Sequence, residues 1–448
     1  MGAGQRGKPN PQDEVLPPTV GVCESHWALW RRTSLRPMNP ATLHPYRGWL
    51  VVALLWVAAF LNYLDRNILT TMRSSLVSAI PMTDAQFGLL TSVFLWVYAL
   101  ASPVAGYLAD RFSRSRLVTL SLFVWSVMTW LTGHAKTFDE LLLARAFMGL
   151  SEAFYIPAAF ALIVDYHRER TRSRATSIHF TGFMVGSGFG GLGGWLAERH
   201  GWSSAFLTFG VVGIIHSLVL LFALRDAPPD GGVVLSASPK VDFGQALLSL
   251  FRSSSFILIL MVWGLLGLAG WGLAGWLPTY LGERFHLDQS TAGFSATGYL
   301  AAATIVGALI GGAWADRWSK GNPRGRVLVS VVGLCLAAPA LWVAAATGTF
   351  PVAIACVMLY GVTRPFTDGN LMPILCMVVD PRYRATGMGV LNLFACAIGG
   401  LTIYIGGVLR DAHVDVGRVF QFSGLGLLVC AALMFAVRPS PPALIQNE

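Results

Sequence analysis

Asp65 and Arg66 stand side by side in a stretch that is otherwise built to cross a membrane, GWLVVALLWVAAFLNYLDRNILTTM from Gly48 to Met72. An ionised side chain at bilayer depth costs on the order of 3 kcal/mol, so such residues face a partner or a water-filled path. Arg145 and Glu152 interrupt a later apolar run, and Arg364 and Asp368 interrupt another. Ionisable groups repeated on several apolar segments point to a protein through which something polar moves.

Helical geometry sorts these charges. Arg145 and Glu152 are separated by close to two turns and point the same way, whereas Asp65 and Arg66 differ by about 100° of rotation. The expected arrangement has Asp65 facing the fourth span, within reach of Arg145 and Glu152, and Arg66 facing a central path. Glu152 then competes with Asp65 for Arg145. The acid that loses the guanidinium is desolvated without a partner and takes a proton, which ties proton binding to helix rearrangement. For Arg66 the planar fork suits a carboxylate or phosphate. The competing reading is an internal ion-pair lattice with no ligand.

Arg364 and Asp368 are four residues apart and share a helix face, so they either neutralise each other or meet a substrate. His179, just inside the fifth span, titrates near neutrality when unperturbed; packing at a helix end is the simpler role.

These residues must be held by membrane helices. The chain has 448 residues, 54% hydrophobic and only 12% charged, far from the composition of a soluble domain. Apolar runs long enough to cross about 30 Å of hydrocarbon begin near Gly48, Gln86, Leu117, Glu140, Ala175, Ser203, Ser255, Thr291, Val327, Phe350, Thr386 and Gly417, giving twelve predicted helices. Continuous apolar runs exclude the alternating pattern of a barrel.

The net charge of +9 is distributed as membrane topology requires, and not as a nucleic-acid surface. Arg111, Arg114 and Arg116 follow the second span, Arg168, Arg170, Arg172 and Arg174 the fourth, and Arg317, Lys320, Arg324 and Arg326 the eighth. Arg73, Lys136, Arg199 and Arg284 are nearly alone on the alternate loops. The positive-inside rule places the Arg-rich loops and both termini in the cytoplasm, and the expected location is a bacterial inner (plasma) membrane. The six cysteines, Cys23, Cys335, Cys356, Cys376, Cys396 and Cys430, form no metal-spaced or redox pair and read as small buried packing residues.

Five segments follow. Residues 1–46 have the composition of a disordered cytoplasmic tail, in which Met38 would make a compact start. A six-helix bundle is expected over 47–225, a Pro-, Gly- and Ser-rich cytoplasmic linker over 226–253, a second bundle over 254–438 and a short tail over 439–448. The halves echo each other: GYLADR (Gly106 to Arg111) matches GAWADR (Gly312 to Arg317), and RSRAT (Arg172 to Thr176) matches RYRAT (Arg382 to Thr386). Glu152 precedes Asp165 by thirteen residues and Asp368 precedes Asp380 by twelve, so the fourth and tenth spans each place a carboxylate at similar depth.

The two GxxxDR loops, the central linker and the six-plus-six layout resemble the major facilitator superfamily, which implies an all-α membrane fold of twelve transmembrane helices in two pseudo-symmetric bundles. NYLDR (Asn62 to Arg66) and RAFMGLSEA (Arg145 to Ala153) resemble the anion:cation symporter group of organic-acid transporters and equally the spinster-like group, whose fifth span is similar to VGSGFG (Val185 to Gly190). Carried from the symporter group, Arg66 would hold the substrate acid, and Asp65 and Glu152, with Arg145, would couple protons. Tyr63, Tyr98 and Asn392 align with cavity positions there, although packing and helix contacts compete for the same residues. Phe183 stands where organic-acid symporters tend to place a Gln, leaving room for a more amphipathic substrate. The resemblance makes Gly106, Asp110, Arg111 and Arg114, with Asp316 and Arg317, gating elements: Asp110 would accept from a neighbouring helix end and from Arg111 or Arg114.

GFGGLG (Gly188 to Gly193) fits a dinucleotide pattern but follows no strand, so it reads as close helix packing. With no HExxH and no Walker A sequence, no enzyme activity, cofactor or metal is expected. The expected partners are protons, a small anionic substrate and the bilayer, with no nucleic acid, and the protein is expected to act as a monomer. The expected function is proton-coupled symport of a small organic anion by alternating access. Its rivals are a spinster-like carrier of lysophospholipid or another amphipathic anion, and a non-transporting sensor on the same fold.

Overall fold

Side-chain oxygens that satisfy first-turn N–H groups set where the helices begin. Thr83 and Gln86 form a reciprocal box, the Gln86 N–H donating to Thr83 Oγ1 at 3.2 Å and the Thr83 N–H to Gln86 Oε1 at 2.9 Å. Ser113, Thr137, Ser253 and Asp288 each cap a later helix through one oxygen.

The computed structural model describes Gly2 and residues 45–437, apart from 168, 228–242 and 381–382. The helices are α1 (Pro45–Thr71), α2 (Arg73–Ala79), α3 (Asp84–Arg111), α4 (Arg114–Thr132), α5 (Phe138–Glu152), α6 (Tyr155–Tyr166), α7 (Glu169–Gly188), α8 (Leu192–His200), α9 (Trp202–Ala223), α10 (Phe243–Arg252), α11 (Ser254–Phe285), α12 (Gln289–Ser319), α13 (Gly325–Ala346), α14 (Phe350–Thr363), α15 (Pro365–Val378), α16 (Arg384–Asp411) and α17 (Gly417–Ala436), with a 3₁₀ turn at Phe189–Gly191. No strand occurs among the described residues. α1 begins inside the predicted tail; the rest of that tail apart from Gly2, with Cys23 and Met38, most of the predicted linker, Arg168, Arg382 and the C-terminal tail lie outside the described residues.

Among the described residues, eleven helical segments are long and apolar enough to cross a membrane. The twelfth predicted one, starting near Ala175, is carried by α7, the 3₁₀ turn and α8. Its first turns read ERTRSR and its second half is rich in glycine, so it falls short by composition while packing along α1. The glycines of GFGGLG do lie at close approaches: a Cβ on Gly193 would come within 2.8 Å of the Ile68 carbonyl oxygen, and one on Gly191 within 2.6 Å of the Phe294 N. Cys396 and Cys430 are buried as expected, but Cys335 is exposed, a correction to the reading of all six as buried.

In the fourth and tenth spans the helical hydrogen-bond ladder is interrupted, although the backbone stays helical at Ala153, Phe154 and Arg364. α5 ends at Glu152 and α6 starts at Tyr155; α14 ends at Thr363 and α15 starts at Pro365, with Arg364 between them. Pro365 brings no N–H to the ladder, which accounts for the second break. Each break thus carries one of the ionisable residues singled out above.

The halves meet along α3 with α16, and along α12 with α7, the 3₁₀ turn and α8. At the end opposite the Arg-rich loops they are latched. Arg73 pairs with Asp84, Arg410 bridges Asp84 (3.1 Å) and Glu283 (2.7 Å), and the Asp411 carboxylate accepts from the N–H groups of Asp84 (2.8 Å) and Ala85 (2.9 Å). Deeper, Ser92 Oγ donates to the Gly400 carbonyl at 2.6 Å and Trp96 Nε1 to the Ala397 carbonyl at 3.1 Å. At the basic end a Cβ on Gly106 or Gly312 would meet nothing within 4 Å.

Candidate substrate and coupling site

Asn62 and Arg66 are one helical turn apart on α1 and share the face toward α5. Both donate to the same atom, Glu152 Oε2, Asn62 Nδ2 at 2.8 Å and Arg66 Nε at 2.8 Å. The pair is almost fully buried, with side-chain exposures of 5% and 0%. Buried ions hold only when extra hydrogen bonds satisfy them, and Asn62 supplies one. Arg66 Nη2 and Glu152 Oε1 have no partner.

Asp65, about 100° further round α1, turns instead to α4, where its Oδ2 accepts from Thr129 Oγ1 at 3.3 Å. The predicted contest between Asp65 and Glu152 for Arg145 is therefore not what this conformation contains. Arg145 makes no ion pair with either acid; its Nε donates to the Leu90 carbonyl at 3.3 Å and its guanidinium carbon lies 4.7 Å from the centre of the Phe94 ring. The reason is local: two donors on one face of α1 converge on Glu152, while a ring face and a backbone oxygen serve Arg145. Arg66 is not turned fully into an open path either, since it is buried against Glu152.

Aromatic rings surround Arg66. Its guanidinium carbon lies 4.9 Å from the ring centre of Tyr63, 5.1 Å from Phe94 and 4.7 Å from Tyr98. Tyr63 packs on Phe183 (ring centres 5.0 Å apart), which in turn meets Tyr155 and His179. His179 is buried among Tyr155, Phe160 and Phe183, and neither ring nitrogen finds a partner.

In the second half, Arg364 Nη1 pairs with Asp368 Oδ2 at 3.0 Å, the side chains being 26% and 41% exposed. Gly270 makes room for this guanidinium: a Cβ there would lie 2.8 Å from Arg364 Nη2. Arg364 Nε and the Tyr360 hydroxyl have no partner. Asn392 is half-buried on α16, one turn from Cys396.

The predicted gating residues are less closely engaged. Asp316 pairs with Arg326 of α13 at 2.5 Å, not with Arg317, because Arg326 projects from the next helix and also holds Asn370 at 3.1 Å. Arg114 pairs with Asp165, and Arg111 lies 4.3 Å over its own helix's Tyr107 ring. The side chain of Asp110 lies outside the described residues. No cluster able to hold a metal occurs among the described residues. Sequence reasoning missed Asn62, Phe94 and Thr129, and the latch of Arg73, Asp84, Glu283, Arg410 and Asp411. An Asn one turn before an intramembrane Arg was a usable signal for the first; charges at loop edges gave none for the last.

A family model described as Major Facilitator Superfamily matches residues 55–404. The chain belongs to that superfamily. Among similar facilitators, protein spinster homolog 1 of Xenopus tropicalis is 27% identical over 85% of this chain and 77% of its own length. The sphingosine-1-phosphate transporter of Mus musculus is 28% identical over 84% and 73%, and an MFS-type efflux pump of Mycolicibacterium smegmatis is 25% identical over 87% and 90%. Two crystal structures of a bacterial homolog of the human lysosomal transporter spinster share the facilitator fold. The inward-facing, unoccupied one has a TM-score of 0.75 at 24% identity, covering 89% of this chain and 100% of its own; the inward-facing, occupied one has a TM-score of 0.73 at 25% identity, covering 89% and 99%. The protein is thus an integral, multi-pass transporter of this superfamily and not an enzyme.

Proposed function

We propose that this facilitator is a proton-coupled carrier of an amphipathic anion, its head group recognised by Arg66 and released as Glu152 changes protonation. One observation carries the reading: a buried guanidinium held by one nitrogen to a carboxylate, with another nitrogen unpartnered and three aromatic faces around it. An anion arriving at Nη2 competes with Glu152 for the guanidinium. A carboxylate that gives up its cation in an apolar site takes a proton, so substrate on Arg66 and proton on Glu152 are taken up together. Aromatic surroundings favour an apolar body over a polyhydroxylated one, and the likeness to spinster proteins and to a sphingosine-1-phosphate transporter supports the same choice.

In this reading the halves are residues 47–225 and 254–438, acting as a monomer with both termini in the cytoplasm. The basic end is cytoplasmic and the conformation is inward-facing. Tyr63, Tyr98, Arg364, Asp368 and Asn392 complete the substrate site, Asp65 and Arg145 support coupling, and the GxxxDR loops gate the basic end. A small organic acid is the second reading, favoured by the partly exposed Arg364, a second cation for a ligand with two anionic groups. Purified protein in liposomes tests the proposal. Uptake or exchange of a lysolipid driven by a pH gradient is expected, along with a higher melting temperature in lysolipid than in hydrophilic acids. Stabilisation by hydrophilic acids alone would select the second reading, and ligand binding with no flux would leave a sensor.

A further inference from the structure

A groove of about 410 Å³ opens between α4 and α9 at the basic end. Arg116 and Arg225 stand at its mouth, and Leu120, Phe123, Leu218 and Leu221 form its walls. Those four apolar side chains are all exposed, as residues facing hydrocarbon are. Arg116 lies in the first turns of α4 and Arg225 two residues past the end of α9, so both sit where the apolar span ends. Phe123 lies about 10 Å further along α4, at 1.5 Å per residue, within the span.

The charges at the mouth are unevenly satisfied. Of the two nearby carboxylates, Asp165 is taken by Arg114, and Asp226 accepts from the Ser115 N–H at 2.7 Å. Arg116 and Arg225 make no ion pair among the described residues, and the hydroxyl-bearing Ser115 and Thr119 line the groove beside them. Two unpaired guanidinia above an apolar cleft match an anionic head group above an acyl chain. Guanidinium forks suit phosphate, and basic pockets between spans on this side of a membrane attract anionic lipid.

We propose that the groove binds one anionic phospholipid of the adjoining leaflet, its phosphate on Arg116 and Arg225 and an acyl chain between Leu120 and Leu221. This site is separate from the transport site, and its failure leaves the carrier reading untouched. The test follows the thermal unfolding midpoint of the full chain in uncharged detergent, titrated with phosphatidylglycerol, phosphatidylcholine or inorganic phosphate. Phosphatidylglycerol should raise the midpoint and the other two should not. The double variant R116Q/R225Q should need about thirtyfold more phosphatidylglycerol for the same rise. L221W, which fills the groove without changing charge, should lose the rise while keeping the lipid-free midpoint. An unchanged response in both variants, an equal rise with phosphatidylcholine, or an equal rise with inorganic phosphate would each overturn the proposal.

Discussion

Arg66 and Arg145 share one aromatic ring: their guanidinium carbons lie 5.1 Å and 4.7 Å from the centre of Phe94. Two like charges are thus held near one ring that serves both, while one carboxylate oxygen serves only the first. The balance among these groups depends on the charge of Glu152. The proposed carrier cycle depends on it equally.

Arg66→Lys is expected to weaken anion binding roughly ten- to a hundredfold, the range of one charge-assisted hydrogen bond at about 1.5–3 kcal/mol. An ammonium keeps the charge but cannot hold Glu152 through one nitrogen while offering another to a ligand. Isothermal titration of the purified variant decides this, and affinity near that of the unaltered protein would remove Arg66 as the clamp.

Glu152→Gln is expected to leave exchange running and abolish concentrative uptake, since a neutral amide stands in for the protonated acid. Counterflow and gradient-driven uptake, measured side by side in liposomes, separate the two. A variant that still accumulates substrate against its gradient would move coupling elsewhere, with Asp65 the next residue to test.

Gly407→Val addresses the alternation itself. A Cβ at Gly407 would strike the Asp84 carbonyl oxygen across the α3–α16 contact, and such overpacking costs about 1–3 kcal/mol. The closed latch should lose population to the opposite state. Labelling of a cysteine at Gly106, with the native cysteines replaced, should fall as the basic end closes; unchanged labelling would show that this contact does not hold the state.

Arg364 and Asp368 are too exposed for their pairing to carry much stability. With side chains 26% and 41% accessible, the pair is worth under about 1 kcal/mol. Asp368→Asn should therefore hardly shift the melting temperature, and it should tighten binding of a ligand whose anionic group meets Arg364. The double change with Arg364→Gln should then lose that gain. Equal affinity in all three proteins would take Arg364 out of recognition.

His179→Phe is expected to preserve transport and to raise stability by about 1 kcal/mol, because it removes two buried nitrogens that have no partner. A loss of transport with the fold intact would instead assign the imidazole a proton.

Much of this is legible in the sequence. The apolar runs gave the helices, and the repeated GxxxDR motif gave the family. Glu152 and Arg66 stood out because charge inside an apolar run has few innocent explanations. What could not be read was pairing. Helical rotation put Arg145 and Glu152 on one side, yet which guanidinium Glu152 meets depends on the tilt of α1 against α5, and tilt leaves no trace in spacing. The latch escaped for a similar reason: Asp84 and Arg410 lie at helix ends far apart in the chain, and loop-edge charges look alike until packing brings two of them together.

The latch and the buried pair differ in how far salt can reach them. Arg73, Asp84 and Arg410 have side chains 15–18% exposed and Glu283 53%, whereas Glu152 has none. Mobile ions screen the first group within a Debye length of about 8 Å at physiological strength and leave the second nearly untouched. Ionic strength raised on the latch side alone should therefore shorten the dwell time of this conformation while leaving the proton affinity of the centre where it was. The latch thereby becomes adjustable from one face of the membrane without altering a residue.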